Sequence, residues 1–515
     1  MSALDRQVSR RGLLTGAAAA TLLGAAGTAA AGGRRDDHPN VVVILADDLG
    51  YGALGAYGQQ VLRTPNLDRL AREGLAFTDA HSGAPICAPS RCALLTGKHT
   101  GHTTVRDNSF TVTGFPPSLK PSDTTWAKAL HDVGYATGAF GKWGFGPDHC
   151  YESVPQGFAR GNPGGPDGSL LQDLGHESHP LQKGFDEFLG LVTHDQATDG
   201  YFPNYIWDGN RRRVLRENVN NGQKTYAPDL YVHRALDFMR RHRSRPFAAY
   251  LAPQLVHWPN LIPSTSPYDD QPWTTELKRY AAMYTRLDSY VGMVRHQLES
   301  LGLAHNTLLL FTSDNGSTVE RLATGGGESS VYHRPSESYL GDKLWNIQGG
   351  LRSEKHALYE GGIRVPFIAW GPGVVRTSGK GRVADRAFAS WDIFPTLTEF
   401  AGARNPRGLD GHSLLGWITG DSTRPEQPLY WERQQVDMVF DVSPPGFAQA
   451  ARIGDWKAVR YTVAGQDPHT PDARWEFELY DLAADRGETR NVALLNPDVR
   501  ARMEHYMNAS HVDPT

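Results

Sequence analysis

The chain has 515 residues, of which 39% are hydrophobic and 21% charged, and its formal net charge is −4 at pH 7. This length allows two to four domains of roughly 100–200 residues, and the composition is ordinary for a globular protein with a sizeable core. The slightly acidic balance excludes nucleic acid as an expected partner. After the N-terminal region, no segment approaches the ~18 consecutive apolar residues of a membrane span.

Residues 1–33 resemble a bacterial twin-arginine export signal. Arg10 and Arg11 precede an apolar Ala/Leu stretch, and small residues from Thr28 to Ala31 suit signal-peptidase cleavage. The pattern predicts the twin-arginine translocase as a partner and a periplasmic or secreted location. A membrane anchor is the alternative, and the weak hydrophobicity of the stretch favours cleavage, with no stable membrane span afterwards.

Apolar runs alternate with helical patterns over residues 34–425. In chain order, we predict strand Val41–Ala46, helix Asn66–Glu73, a helix with Pro89 in its first turn, a strand ending at Lys142, strand Phe247–Leu251, helix Thr275–Leu301 and strand Leu308–Thr312. Residues 151–230 and 316–350 are predicted to be long loops. The alternation predicts an α/β fold with a mostly parallel sheet.

The Pro/Gly-rich stretch over residues 401–428 indicates a domain boundary. Beyond it, the segments PLYWER, GDWKAVRYT and FELYDL are strand-like, and a helix is predicted over Pro497–Met507. We therefore predict a catalytic domain over residues 34–425 and a small α+β domain over residues 426–515.

Polar side chains follow the predicted strands. The pairs Asp47-Asp48 and Asp314-Asn315 come directly after two of them, Lys142 ends a third, and His257 follows a fourth. Ligands of open α/β sheets bind outside the carboxyl ends of the strands, so we expect a site there. For Asp314-Asn315-Gly316 alone, a turn is the alternative.

The three cysteines are Cys87, Cys92 and Cys150, an odd number for an exported chain. Cys87 stands just before a predicted helix N-terminus, with Arg91 about one turn inside the helix, and a bare thiolate nucleophile is one interpretation. Cys92 and Cys150 are expected to stay reduced and buried or to form a disulfide.

Cys87-Ala88-Pro89-Ser90-Arg91, continued by Leu95-Thr96-Gly97-Lys98, resembles the Cys-x-Pro-Ser-Arg motif of the sulfatase family. The segments VVVILADDLGYG, LFTSDNG, LYEGGIRVP and DIFPTL also fall in that family's order. The resemblance implies that a formylglycine-generating enzyme oxidises Cys87 to formylglycine. It also implies the alkaline-phosphatase fold, with a large mixed, mostly parallel sheet flanked by helices and a small C-terminal antiparallel sheet with a helix.

The resemblance also implies the site residues. The metal ligands are Asp47, Asp48, Asp314, Asn315 and an oxygen of formylglycine 87. An all-oxygen set of this charge suits Ca²⁺, with Mg²⁺ as the alternative. Arg91 would hold the formylglycine, Lys142 and Lys355 would bind sulfate, His257 would lie near the leaving group, and Asp314 would help to deprotonate the nucleophile.

One position departs from the family pattern. The family commonly has Gly-Lys-Trp-His, whereas this chain has Gly144 after Trp143. The absent histidine is the residue usually assigned to deprotonating the second diol hydroxyl. His99 and His102 are candidates to replace it, and surface histidines are the alternative.

The resulting hypothesis is a sulfatase that hydrolyses aryl or carbohydrate sulfate monoesters. The alternatives are a formylglycine-dependent phosphonate or phosphodiester hydrolase and a non-catalytic binder of sulfated glycans. Tyr201, Tyr205 and Trp207 would either stack on a substrate ring or pack within a loop.

Overall fold

The computed structural model describes residues 38–108, 117–146, 177–193, 200–318, 345–377, 381–420, 426–435, 446–462 and 473–513. The predicted export signal and Cys150 lie outside these ranges. Among the helices of the described ranges, none is long and apolar enough to cross a membrane.

The strands fall into one large sheet, one small sheet and one two-stranded pair. In chain order they are β1 (Asn40–Ala46), β2 (Leu75–Phe77), β3 (Ala80–His81), β4 (Ala136–Lys142), β5 (Glu187–Leu191), β6 (Tyr205–Asp208), β7 (Arg211–Val214), β8 (Phe247–Ala252), β9 (Thr307–Ser313), β10 (Phe367–Trp370), β11 (Arg382–Ala384), β12 (Phe388–Ala389), β13 (Leu429–Gln435), β14 (Gly446–Ile453), β15 (Trp456–Thr462) and β16 (Trp475–Asp481).

The α-helices connect these strands and cover both faces of the large sheet. In chain order they are α1 (Pro65–Glu73), α2 (Cys87–Thr96), α3 (Trp126–His131), α4 (Ala227–Arg241), α5 (Thr275–Ser300), α6 (Glu360–Ile363), α7 (Ile393–Ala401), α8 (Leu415–Thr419) and α9 (Pro497–Ser510). The predicted helices near residues 66, 89, 275 and 497 are therefore confirmed, with ends that differ by a few residues.

The large sheet has ten described strands, in the order β11-β2-β10-β9-β1-β8-β4-β5-β6-β7. Its centre is parallel, because β1 pairs with both β8 and β9, and β4 pairs with both β8 and β5, in the parallel sense. β10, β6 and β7 add antiparallel pairs. This confirms the predicted mixed, mostly parallel sheet and brings the carboxyl ends of the central strands to one edge.

The central strands are buried on both faces, which explains their continuous apolar sequences. In β1, Val42 and Ile44 join a core cluster with α4 and α5, whereas Val41 and Val43 join a second cluster with α2, α3 and α7. Alternate side chains therefore pack against different helix layers, and the rigid sheet between these layers fixes the ends of its strands.

The small sheet is antiparallel, in the order β13-β14-β15-β16. One face packs on α9, where Ala458 and Leu479 meet Met503 and Met507. The opposite face packs on the large domain, where Val459 and Tyr480 share a cluster with Tyr359. The predicted small sheet with a helix is confirmed. Its first strand begins at Leu429, while the division of the chain at residue 425 remains a prediction.

The prediction of long loops over residues 151–230 is wrong for much of the described part. β5, β6 and β7 extend the large sheet, and α4 begins at Ala227. These strands are only four or five residues long. Strands this short carry too little periodicity to stand out from a Gly-rich and polar background. The predicted loop over residues 316–350 lies mostly outside the described ranges.

Candidate active site

The parallel strands bring most of the predicted site residues to one edge of the large sheet. Asp47 and Asp48 follow β1, and Asp314 and Asn315 follow the adjacent β9. The Asp314 N–H donates to the carbonyl of Ala46 at 3.1 Å, so the two strand ends are joined through the backbone. Asp48 has a φ of 61°. This left-handed conformation is uncommon outside glycine and best tolerated by Asn and Asp.

Cys87 is the first residue of α2, and its side chain is fully buried. Its Sγ lies 3.5 Å from Asp47 Oδ1, which places it against the carboxylates. Here an unmodified thiol stands where a formylglycine would carry its oxygens. Burial raises the pKa of this thiol to about 12, so the cysteine itself stays protonated at neutral pH.

Arg91, one turn into α2, binds across the site. Its Nε and Nη2 donate to the same Asp314 oxygen, Oδ2, at 2.9 and 2.8 Å, and its Nη1 donates to the Lys142 carbonyl at 2.8 Å. Its Nη2 also lies 3.5 Å from Asp47 Oδ2. Arg91 therefore links α2 to the ends of β1, β4 and β9.

Two lysines pair with the first two carboxylates. Lys142 Nζ lies 2.7 Å from Asp47 Oδ2, and Lys355 Nζ lies 2.7 Å from Asp48 Oδ1. Burial opposes ionisation of Asp47, but Lys142, His257 and Arg91 outweigh it and hold its pKa well below the usual range. Burial likewise opposes ionisation of Asp48, but Lys355 and His257 lower its pKa. Both carboxylates are therefore ionised.

Asp314 behaves differently, although it has Arg91 as a partner. Burial, and then the charge of Asp47, raise the pKa of Asp314 to about 7. Three carboxyl groups this close repel one another, and the third is ionised only with difficulty. Additional positive charge at this point would favour its ionised form.

His257 lies beside the carboxylates at the end of a short segment after β8. Its Nε2 is 3.6 Å from Asp48 Oδ2, and one of its ring nitrogens lies within 4.8 Å of Cys87 Sγ. Its Nδ1–H donates to the carbonyl of Trp258, which leaves Nε2 as the nitrogen that faces the site. Burial, and then the charge of Lys355, lower the pKa of His257 to about 4.

The donor atoms fit a hard divalent cation. The Oδ1 of Asn315 is buried without a hydrogen-bond donor, while its Nδ2 donates to Asp48 Oδ1 at 2.7 Å. Such an orphaned acceptor beside three carboxylates matches the oxygen ligands that Ca²⁺ and Mg²⁺ require. The three carboxylates face three basic side chains, so a divalent cation would give the site the net positive charge that suits an anionic ester.

Three polar residues missed in the sequence support this arrangement. Asn108 Oδ1 accepts from the Ala88 N–H at 2.8 Å, at the start of α2. Ser313 Oγ accepts from the Leu49 N–H at 2.9 Å, and Thr318 Oγ1 lies 3.2 Å from Asp48 Oδ2. Ser313 and Thr318 lie on either side of the predicted ligand pair Asp314-Asn315, so their positions in the sequence could have identified them. No local sequence pattern identifies Asn108.

His99 and His102 do not replace the histidine missing at position 144. They lie beyond the C-terminal end of α2, a ten-residue helix about 15 Å long that begins at Cys87. Their rings stack on each other at 4.3 Å, and both pair with Asp410. Gly144 has a φ of 94°, a conformation that histidine adopts only with strain.

The three aromatic residues proposed for substrate stacking are buried. Tyr201, Tyr205 and Trp207 are at most 4% exposed. The Tyr201 hydroxyl donates to the His257 carbonyl at 2.6 Å, and the Arg212 guanidinium covers the Tyr205 and Trp207 rings. These side chains therefore pack within the protein, which was the alternative interpretation.

The choice between reduced cysteines and a Cys92–Cys150 disulfide stays a prediction. Cys92 is buried with a free thiol, and burial raises its pKa to about 12. Cys150 lies outside the described residues.

Known proteins resemble this chain in sequence and in fold. A family model described as Sulfatase matches residues 39–403. Arylsulfatase A of Homo sapiens is 32% identical over 487 residues, covering 88% of this chain and 83% of arylsulfatase A.

Two solved structures are similar in fold. The structure of Ps i-CgsB in complex with k-i-k-neocarrahexaose has a TM-score of 0.67 at 23% identity and covers 93% of this chain and 94% of its own. The phosphonate monoester hydrolase of Agrobacterium radiobacter has a TM-score of 0.61 at 20% identity, with coverages of 93% and 97%.

Proposed function

Because this chain belongs to the sulfatase family and is a sulfuric ester hydrolase, we propose that it hydrolyses aryl or carbohydrate sulfate monoesters with formylglycine at position 87 and a divalent cation. One observation carries the proposal. Cys87 lies 3.5 Å from Asp47 at a strand edge where Arg91, Lys142 and Lys355 converge. The residue that the proposal converts to a nucleophile therefore lies beside several cationic groups that could bind a sulfate ester.

Asp47, Asp48, Asp314 and Asn315, with an oxygen of residue 87, would hold Ca²⁺, or Mg²⁺ in its place. When bound, the cation supplies Lewis acidity toward a sulfate oxygen. The orphaned Asn315 Oδ1 supports this assignment. The hydrated aldehyde of formylglycine 87 supplies the nucleophilic oxygen, which an unmodified buried thiol cannot.

The basic residues bind and orient the ester. Lys142 Nζ and Lys355 Nζ donate to sulfate oxygens, on which negative charge accumulates during transfer. Arg91 holds α2, and with it residue 87, against Asp314. A carboxylate oxygen of Asp314 accepts the proton of the attacking hydroxyl.

His257 faces two proton transfers in this proposal. Because its pKa is lowered to about 4, Nε2 is unprotonated at neutral pH, so Lys355 Nζ donates to the departing ester oxygen, with transiently protonated His257 as the alternative donor. The unprotonated Nε2 can then accept the proton of the remaining hydroxyl on residue 87. A ring nitrogen of His257 lies within 4.8 Å of Cys87 Sγ, which supports the second role. In family members with a histidine at the position of Gly144, this role is assigned to that histidine.

The proposal includes maturation and export. A formylglycine-generating enzyme modifies Cys87 in the unfolded chain, and the twin-arginine translocase exports the folded protein to the periplasm or beyond. The Cys87-x-Pro89-Ser90-Arg91 motif and the paired arginines Arg10 and Arg11 support these two steps.

The test uses protein from a host that contains the modifying enzyme. It is incubated with an aryl sulfate, sulfated mono- and oligosaccharides, an aryl phosphodiester and an aryl phosphonate monoester, and inorganic sulfate and phenol are measured. We expect sulfate release, with kcat/KM far higher for sulfates than for phosphorus esters. A preference for phosphodiester or phosphonate would favour the alternative hydrolase, and binding without release would favour a non-catalytic glycan binder.

A further inference from the structure

The segment over residues 352–360 carries Lys355, which has to reach Asp48 from a backbone without regular structure. The segment forms turns until α6 begins at Glu360. The Lys355 N–H donates to the Ser317 carbonyl at 3.0 Å, and this hydrogen bond attaches the Lys355 backbone to the loop that follows β9. A lysine on a four-carbon stem needs its backbone fixed if its ammonium is to hold one position.

The small sheet holds the segment on both sides of Lys355. Glu478 Oε2, on β16, accepts from the Tyr359 hydroxyl at 2.8 Å and lies 3.3 Å from Arg352 Nη1. The same Arg352 nitrogen donates to the Tyr480 hydroxyl at 2.5 Å. The Arg352 guanidinium also lies 3.8 Å from the centre of the Tyr359 ring. One carboxylate of the small sheet therefore joins the two flanks of the segment.

A second contact reaches the residue next to Lys355. Arg433, on β13, donates through Nη1 to the His356 carbonyl, and its Nη2 lies 3.1 Å from His356 Nδ1. The His356 N–H in turn donates to the Pro85 carbonyl at 2.9 Å, two residues before Cys87. The middle of the segment thus lies between the small sheet and the loop that leads into α2.

A third contact fixes the end of the segment. Glu488 Oε2 accepts from the Glu360 N–H at 2.7 Å. Lys457 Nζ, on β15, lies 2.8 Å from Glu360 Oε1 and 2.9 Å from Glu488 Oε1. All three side chains are buried, so the contact is shielded from water.

From these contacts we infer that the small C-terminal sheet positions Lys355, with Glu478 as the main positioning residue. The inference rests on the proposed function, in which Lys355 binds the sulfate group. A displacement near 1 Å of a substrate-positioning group can lower the rate about 100-fold. Contacts that fix the segment on both sides of Lys355 therefore affect the rate directly. The small sheet is then part of the catalytic apparatus, although it contributes none of the groups assigned to contact the ester.

The test measures steady-state kinetics on an aryl sulfate for Glu478→Ala, Glu478→Gln and Tyr359→Phe. We expect kcat/KM to fall about tenfold or more in Glu478→Ala. The loss should be smaller in Glu478→Gln, which retains an acceptor oxygen for Tyr359, and in Tyr359→Phe, which removes a single hydroxyl and keeps the fold. The control is Arg460→Met, on the opposite face of β15, whose Nε contacts Gln449. It should alter the melting temperature without altering kcat/KM.

The same substitutions are repeated in a Lys355→Ala background. If Glu478 acts through Lys355, Glu478→Ala and Tyr359→Phe will cause no further loss there, because coupled residues are not additive. Additive losses, or unchanged kinetics in both single variants, would overturn the positioning role. Absence of sulfate release from the wild-type enzyme would instead count against the proposed function, so the two failures are distinguishable.

Discussion

Arg91 donates two hydrogen bonds to a single oxygen of Asp314, from Nε at 2.9 Å and from Nη2 at 2.8 Å, and both side chains are completely buried. The pair joins α2 to the end of β9. Because neither charge can reach water, each depends on the other for its stability.

Replacement of Arg91 by methionine should therefore destabilise the fold. Arg91→Met leaves Asp314 buried without its cation, and we expect the free energy of unfolding to fall by about 3–5 kcal/mol in urea denaturation. The control is Arg69→Met, which breaks the exposed pair with Glu73 and should cost no more than about 0.5 kcal/mol. Equal effects of the two substitutions would show that the Arg91–Asp314 pair has no special structural role.

Substitution of His257 separates the two proton transfers. With 4-nitrophenyl sulfate, whose leaving group needs little protonation, His257→Gln should release about one equivalent of nitrophenol rapidly and then stall, because the second hydroxyl on residue 87 has lost its base. Stopped-flow absorbance measures the burst and the steady rate. A uniformly slow reaction without a burst would restrict His257 to the leaving-group step, and an unchanged steady rate would remove it from the mechanism.

Removal of the cation should abolish activity and lower the melting temperature. Without it, Asp47, Asp48 and Asp314 repel one another at the strand ends. A cation whose free concentration is 100 times its Kd raises the free energy of unfolding by about 2.7 kcal/mol, and chelation removes this contribution. Exhaustive chelation followed by calorimetry and sulfate assays checks this, with Ca²⁺, Mg²⁺ or Zn²⁺ added back. Full turnover and an unchanged melting temperature after chelation would exclude the metal. Restoration by Zn²⁺ alone would contradict the oxygen-ligand assignment.

The buried Glu488 predicts a specific pH dependence of stability. Burial, and then the charge of Glu360, raise the pKa of Glu488 from 4.5 to about 7, although Lys457 opposes them. The folded state then binds this proton more tightly than the unfolded state, so the contribution of Glu488 to stability is greatest below about pH 4.5 and declines as the pH rises to about 7.

Glu488→Gln removes that titration and keeps an oxygen to accept from the Glu360 N–H. The decline in the free energy of unfolding over this pH window should shrink by at most about 3 kcal/mol. Urea denaturation across the window measures it, and parallel curves for the wild type and the variant would show that Glu488 does not titrate there.

The central elements were predictable from sequence because their signals are local. β1 and β9 are continuous apolar runs ended by Asp47-Asp48 and Asp314-Asn315, and the parallel arrangement then brings those ends together. The helix over Thr275–Ser300 starts where Thr274 caps it, its side chain accepting from the Leu277 N–H. Such caps and periods need no knowledge of the rest of the chain.

Other features depend on contacts between distant segments. β14 contains four alanines and glycines in GFAQAARI, residues with low strand preference, and it is held by pairing with β13 and β15 on both sides. Asn108 and Glu488 each bind one backbone N–H of a distant helix start, at Ala88 and at Glu360. No local pattern marks a single polar residue for such a role, so only the folded structure identifies it.

Mass spectrometry of the tryptic peptide Glu73–Arg91, combined with sulfate release by the same preparation, tests most directly whether residue 87 is formylglycine. From a host with the modifying enzyme, we expect an aldehyde at position 87 that reacts with hydrazides and resists thiol alkylation. The fraction modified should match the fraction active, and both Cys87→Ala and Cys87→Ser should fold but lack turnover. Full activity in Cys87→Ala, or an active preparation whose Cys87 is an unmodified thiol, would exclude formylglycine 87 as the nucleophile.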